Sequence, residues 1–179
     1  MNTLNGNTTG NINADTVTTL TGSITDLNTA YTASATTGDG ISNLGNEAIT
    51  LSDTSVTDIS ALTTLNGNTT GNINADTVSS FTGSISDLNT MFATKAASGD
   101  GISFSSSSGA ADQTVTITDT TDVSVTGLTT LNGHTTGNID ASGVTSLASA
   151  SISDIKTLLT AGNNHTNNFT STSFNDLAT

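Results

Sequence analysis

The residues of this chain that could do chemistry are carboxylates. There are fourteen Asp and one Glu, Glu47, against Lys95 and Lys156 and no Arg. The spacing of the Asp residues repeats. Gly38-Asp39-Gly40-Ile41-Ser42 matches Gly99-Asp100-Gly101-Ile102-Ser103, and Asp53 has its counterpart in Asp119-Thr120-Thr121-Asp122, each just after an alternating apolar run. Carboxylates on flexible loops suit calcium, which takes six to eight oxygen ligands. Asp39, Asp100, Asp53, Asp119 and Asp122 are therefore the candidate cation ligands. Neither the EF-hand spacing nor the glycine-rich nonapeptide of calcium β-rolls is present, and Gly-Asp-Gly serves equally well as a plain turn, so both readings stand. Calcium is the only cofactor the pattern suggests. Catalysis has little to work with. The histidines are His134 and His165, and there is no Cys, no GxSxG elbow, no P-loop and no dinucleotide fingerprint. His134 stands where sister segments carry Asn7 and Asn68, so it reads as a turn substitution. His165, in an Asn/Thr-rich stretch, reads as solvated. No reaction is expected.

Another set of Asp residues points to helix starts. Ser23-Ile24-Thr25-Asp26-Leu27 recurs at Ser55, Ser84, Ser151 and Ser173, with a worn copy from Thr121 in which Ser124 replaces the Asp. A Ser at the N-cap accepts an orphan backbone N–H, and an acid three residues on meets the positive end of the helix. Apolar residues follow at helical spacing: Ile85, Leu88, Met91 and Phe92, and likewise Ile24, Leu27, Ala30 and Tyr31. Gly6, Gly67 and Gly133, each after Asn, are expected to end helices as left-handed C′ glycines. Between helices the period drops to two around Ile49 and Leu51, and around Val115 and Ile117, while Ile12, Ile73 and Ile139 sit in short Asn-Ile segments. These predict short strands.

The unit of strand plus short helix belongs to a longer repeat. Leu4–Asp15 recurs word for word at Leu65–Asp76, and with changes from Leu131. The spacing predicts an α/β fold, an elongated solenoid of about six strand-plus-helix units. They form three copies of a roughly 60-residue double unit, over residues 4–64, 65–130 and 131–179, the last completed by residues 1–3 of a following unit. Cap-to-cap steps that contain the NGNTTGNI phrase hold nearly constant at 29 and 30 residues, whereas the others vary. The variation falls in the loops 36–45, 98–113 and 162–172. They are expected to project from one side and make any lateral or ligand contacts.

The chain ends fit this frame. SFNDLAT, from Ser173, followed by MNTLNGNTTG, from Met1, aligns with SVTDISALTTLNGNTTG, from Ser55. The expectation is head-to-tail self-association through a seam helix whose buried face carries Phe174, Leu177, Met1 and Leu4.

Composition narrows the partners. The net charge is −13, 9% of residues are charged and 3% aromatic, and Pro and Trp are absent. Phosphate neutralisation needs clustered Lys and Arg, so nucleic acid is not an expected partner. No apolar run reaches membrane-spanning length, so no membrane insertion is expected. Periodic Ile, Leu and Val with repeated caps argue for a thin ordered core rather than low-complexity disorder.

The phrase LNGNTTGNINADTVTTLTGSITDLNTAY, continuing to GISNLGNEAITLSDT, resembles repeats in giant tandem-repeat surface proteins of marine cyanobacteria. That resemblance implies an extracellular or cell-surface location and a structural, adhesive or filament role. The stretch 99–122, with GDGISF and TVTITDT, is similar to linkers of phage tail fibres. The expected function is a non-enzymatic structural unit of a filament, stalk or surface layer. The alternative is a receptor- or glycan-binding fibre or adhesin module that contacts surface glycans.

Overall fold

A computed structural model describes residues 1–34, 40–95, 100–104 and 112–163. Asp39, His165, the cap at Ser173, the seam residues Phe174 and Leu177, and the loop 162–172 beyond residue 163 lie outside the described residues.

The chain runs α1 (Asn2–Gly6), β1 (Ile12–Asn13), β2 (Thr19–Gly22), α2 (Ile24–Ser34), β3 (Ile41–Ser42), β4 (Ala48–Leu51), β5 (Ser55–Val56), α3 (Ile59–Asn68), β6 (Asn72–Asn74), β7 (Ser80–Gly83), α4 (Ile85–Ala93), β8 (Gly101–Ser103), β9 (Thr114–Ile117), α5 (Val125–His134), β10 (Ile139–Asp140) and α6 (Ile152–Asn163). Among the described residues the fold is mixed α/β with parallel sheets and no closed barrel. Every strand pair is parallel, which requires a long crossover between neighbours. Within each four-stranded sheet the order in space is the order in the chain: β2-β4-β6-β8 in one, β5-β7-β9-β10 in the other, with β1-β3 a separate pair.

Two compact units result, and each draws on separated stretches of sequence. Unit 1 comprises Met1–Asp53, Ser60–Thr77 and Thr94–Ser103; unit 2 comprises Thr54–Ile59, Val78–Ala93 and Phe104–Thr179. Unit 1 holds the sheet β2-β4-β6-β8, with Ile49 beside Ile73 and Ile73 beside Ile102. Unit 2 holds the other sheet, with Phe81 beside Val115 and Val115 beside Ile139. Alternation sets the inner face of each: in β4, Ile49 and Leu51 are buried and Ala48 and Thr50 exposed, and β9 follows suit with Val115 and Ile117.

The helix starts divide into two kinds. At α2, α4 and α6 the Ser–Asp pair caps as its spacing predicts. Ser23 Oγ accepts from Asp26 N (3.1 Å) and donates to its carboxylate (2.9 Å). Ser84 with Asp87, and Ser151 with Asp154, repeat this. The copies at Ser55 and Thr121 do not cap at those residues. Ser55 lies in β5, and the helices begin four residues later, at Ile59 and Val125. Ser124 is itself the N-cap of α5, accepting from Gly127 N at 3.0 Å, and Asp58 holds the same place before α3. Ser and Asp exchange freely at an N-cap, which explains the replacement.

The helix ends also differ from expectation. Gly6, Gly67 and Gly133 belong to helices, and among the described residues the glycines with positive φ are Gly45 and Gly101. At α3 and α5 the helix is ended instead by the first Thr of the Thr-Thr-Gly triplet, whereas α1 ends on Gly6 with Asn7 as its C-cap. Thr135 is extended, with φ −128° and ψ 146°. Its hydroxyl donates to the Gln113 carbonyl at 2.9 Å and accepts from Gly137 N at 2.9 Å. Thr69 does the same with the Glu47 carbonyl (2.7 Å) and Gly71 N (3.0 Å). That anchor draws the next residue but one onto the neighbouring backbone. A Cβ on Gly71 would stand 2.2 Å from the Glu47 carbonyl oxygen, and one on Gly137 2.1 Å from that of Gln113.

The variable loops are not wholly projecting. Ile41 and Ile102, from the matched Gly-Asp-Gly-Ile-Ser loops, are buried strand residues, and Phe104 and Gln113 are buried too. The pull of an isoleucine into the core turns each loop end into a strand.

Two glycines four residues apart should therefore answer oppositely to Ala. Gly67→Ala, helical with open space around it, should raise stability by up to about 1 kcal/mol. Gly71→Ala should lower it by at least about 2 kcal/mol. Thermal melts followed by circular dichroism check both.

Candidate functional site

The candidate cation ligands fall in different places. Asp53 Oδ2 accepts the Ile24 N–H at 2.8 Å, and Asp119 Oδ2 accepts the Ile85 N–H at 2.7 Å. Each carboxylate thus reaches back from the next pass of chain to the first turn of a helix already capped by its own Ser. Two anionic oxygens at a helix N-terminus complement the dipole and satisfy orphan donors. Asp122 is exposed with φ 50°, and its N–H donates to Ser146 Oγ at 3.0 Å. Asp119 and Asp122 line one groove of unit 2 with Asn89, Ser124 and Gly127, whereas Asp53 belongs to unit 1. Asp100 is exposed. Among the described residues no three His, Cys, Asp or Glu side chains group as metal ligands do.

The sequence reading passed over one buried polar pair in unit 1. Glu47 is 0% exposed, and its Oε2 accepts from Tyr31 Oη and from Gly45 N, both at 2.9 Å, while Oε1 has no hydrogen-bond partner. Burial, reinforced by Glu47, raises the Tyr31 pKa far above its ordinary value, although contact with Thr69 opposes this. At the corresponding places unit 2 has Phe92 for Tyr31 and Gln113 for Glu47. The hydroxyl and the carboxylate disappear together, and the space goes to rings. Phe81 meets Phe92 and Phe104 edge-on with centroids 5.7 Å apart, and Phe92 stacks on His134 at 6.0 Å and 16°. His134 is thus a ring partner in the last turn of α5, and not a turn residue. The paired change from Tyr and Glu to Phe and Gln between copies was the signal in the sequence.

Of the seam residues, Met1 and Leu4 are described, and both are exposed, at 41% and 57%. Their counterparts in α3 and α5, namely Leu62, Leu65, Leu128 and Leu131, are fully buried. At the other end α6 exposes Ile152 (88%), Ile155 and Leu159, whereas Ile85, Leu88 and Phe92, at the same places in α4, are buried. In α6 it is Leu158 that is buried. No helix among the described residues is long and apolar enough to cross a membrane.

Two measurements probe these sites. Tyr31 is the single tyrosine, so tyrosinate absorbance reads it alone. A folded pKa raised above the unfolded value of about 10 contributes stability that is present below that pH and lost as pH rises past it. Tyr31 should therefore ionise only as unit 1 unfolds in alkali, and Tyr31→Phe should remove that alkaline loss while costing about 1–2 kcal/mol at neutral pH. Separately, Asp53→Ala and Asp119→Ala should each cost about 1 kcal/mol in calcium-free buffer, as lost caps. A calcium-dependent rise in the melting temperature that these substitutions abolish would instead make them ligands.

Comparison with protein families, with curated proteins and with solved structures finds no match to this chain.

Proposed function

We propose that this chain is a structural repeat module, an α/β solenoid of about six strand-plus-helix units that continues head to tail into an extracellular filament, stalk or surface layer. The observation that carries the reading is where the repeated polar residues go. Asp53 and Asp119 bond the preceding helix. Asn28 Nδ2 donates to the Ala61 carbonyl at 2.9 Å, and Asn89 Nδ2 to that of Gly127 at 3.0 Å. Thr77 and Thr145 hydroxyls donate to carbonyls of the pass before. Residues that recur because they join one pass of chain to the next are what an extensible array requires. A unique binding site would instead break the repeat.

Energetics supports a growing assembly over a tight dimer. Covering Met1, Leu4, Ile152, Ile155 and Leu159 is worth on the order of 5–10 kcal/mol. Association costs about 4–15 kcal/mol. A single contact between separate chains is then weak, and assembly depends on concentration or on covalent continuity between units. The extracellular location follows the resemblance to surface-protein repeats and is part of the proposal.

A tandem fusion of two copies tests this. In small-angle X-ray scattering it should double in length with the cross-section of one copy, and electron microscopy of concentrated protein should show unbranched fibres of constant width. A fusion that scatters as two jointed globules, with the single chain monomeric at every concentration, overturns the reading.

A further inference from the structure

We propose that the exposed face of α6, made by Ile152, Ile155 and Leu159, is the seat for α1 of a second copy of this chain, in the register in which α4 receives α5; the inference rests on the head-to-tail reading.

The template lies within unit 2. There α4 and α5 approach so closely that a Cβ on Gly127 would stand 2.7 Å from Ile85 Cγ2. Asn89 bonds the Gly127 carbonyl, and Phe92 stacks on His134. Helix α6 is a second α4: Ser151-Ile152-Ser153-Asp154-Ile155 repeats Ser84-Ile85-Ser86-Asp87-Leu88, and the cap is the same. Ile152, Ile155 and Leu159 correspond to Ile85, Leu88 and Phe92. Helix α1 is the second half of an α5: Leu4-Asn5-Gly6-Asn7 repeats Leu131-Asn132-Gly133-His134, and Met1 and Leu4 correspond to Leu128 and Leu131. Each of the two faces thus exposes the positions that α4 and α5 bury against their surroundings.

The contact continues an interface already present. Leu158 of α6 is 1% exposed, so α6 is covered on one side and open on the other. Lys156 stands where Asn28 and Asn89 stand in α2 and α4. It offers an ammonium to the class of carbonyl that those amides bond. The register places Leu159 of one copy beside Asn7 of the next, as Phe92 lies beside His134.

The chain contains no Cys, so engineered thiols report this register without background. Leu159→Cys and Asn7→Cys proteins, mixed and treated with a short bis-maleimide, should give a heterodimer at least tenfold above that from a Thr116→Cys and Asn7→Cys mixture. Adding Ile152→Asp to the Leu159→Cys chain should reduce the yield to the control level with the circular dichroism spectrum unchanged. Three results separate the two readings. No heterodimer, with wild-type protein still growing into fibres, overturns the pairing of α6 with α1 and leaves the filament. A heterodimer that never grows further supports the pairing and removes the filament. No heterodimer from a wild-type chain that stays monomeric overturns both.

Discussion

The start of α2, like that of α4, is held from two directions. Its own Ser and Asp close the first turn, and where α2 and α4 begin, a second carboxylate arrives from the following pass: Asp53 on Ile24, Asp119 on Ile85. The second bond matters more for architecture than for energy. A helix of nine to eleven residues is marginal alone, and a capping bond is worth about 1 kcal/mol. But a bond that exists only when the next pass is in place makes local and long-range order depend on each other. The parallel ladders impose the same condition, since β2 gains its partner when β4 arrives and β5 when β7 does. Helix, sheet and register therefore form together or not at all.

This explains how so polar a composition keeps an ordered core. A chain dominated by Ser, Thr, Asn and Gly is short of apolar area. Here the hydroxyls and amides close the backbone accounting that a thin core leaves open. Thr69 and Thr135 end helices, Asn13 and Asn74 close the turns after β1 and β6, and Thr77 bonds two carbonyls of the neighbouring pass. Two solutions fill the remaining space. Unit 1 uses Tyr31 hydrogen-bonded to Glu47, and unit 2 uses a cluster of phenylalanines with His134.

The sequence was legible where one principle acts alone. The Ser–Asp caps at α2, α4 and α6, the alternation in β4 and β9, and the isoleucines of β1, β6 and β10 all follow from local pattern. It misled where a tertiary partner decides. Ser55-Val56-Thr57-Asp58 has the composition of a cap, but pairing with β7 makes its first two residues a strand. Asn66-Gly67 has the composition of a helix end, but the bond from Thr69 to Glu47 sets the end two residues later. The caps that Asp53 and Asp119 supply to distant helices were not legible, because nothing local marks the N–H that each accepts. The exposed row on α6 could be seen only against its buried counterpart in α4, and burial is not written in a single copy of the repeat.

The chain-ordered sheets carry a kinetic consequence. The side-chain bonds between consecutive passes span 22 to 40 residues, and β9 needs β7 but not β5. Loop-closure entropy is then met in similar instalments, none of which grows with the number of passes. A chain emerging from a ribosome could order itself one pass behind the exit, each finished edge acting as a template for the next strand. The time to fold would rise in proportion to the number of passes, without the penalty that distant contacts impose on globular sheets.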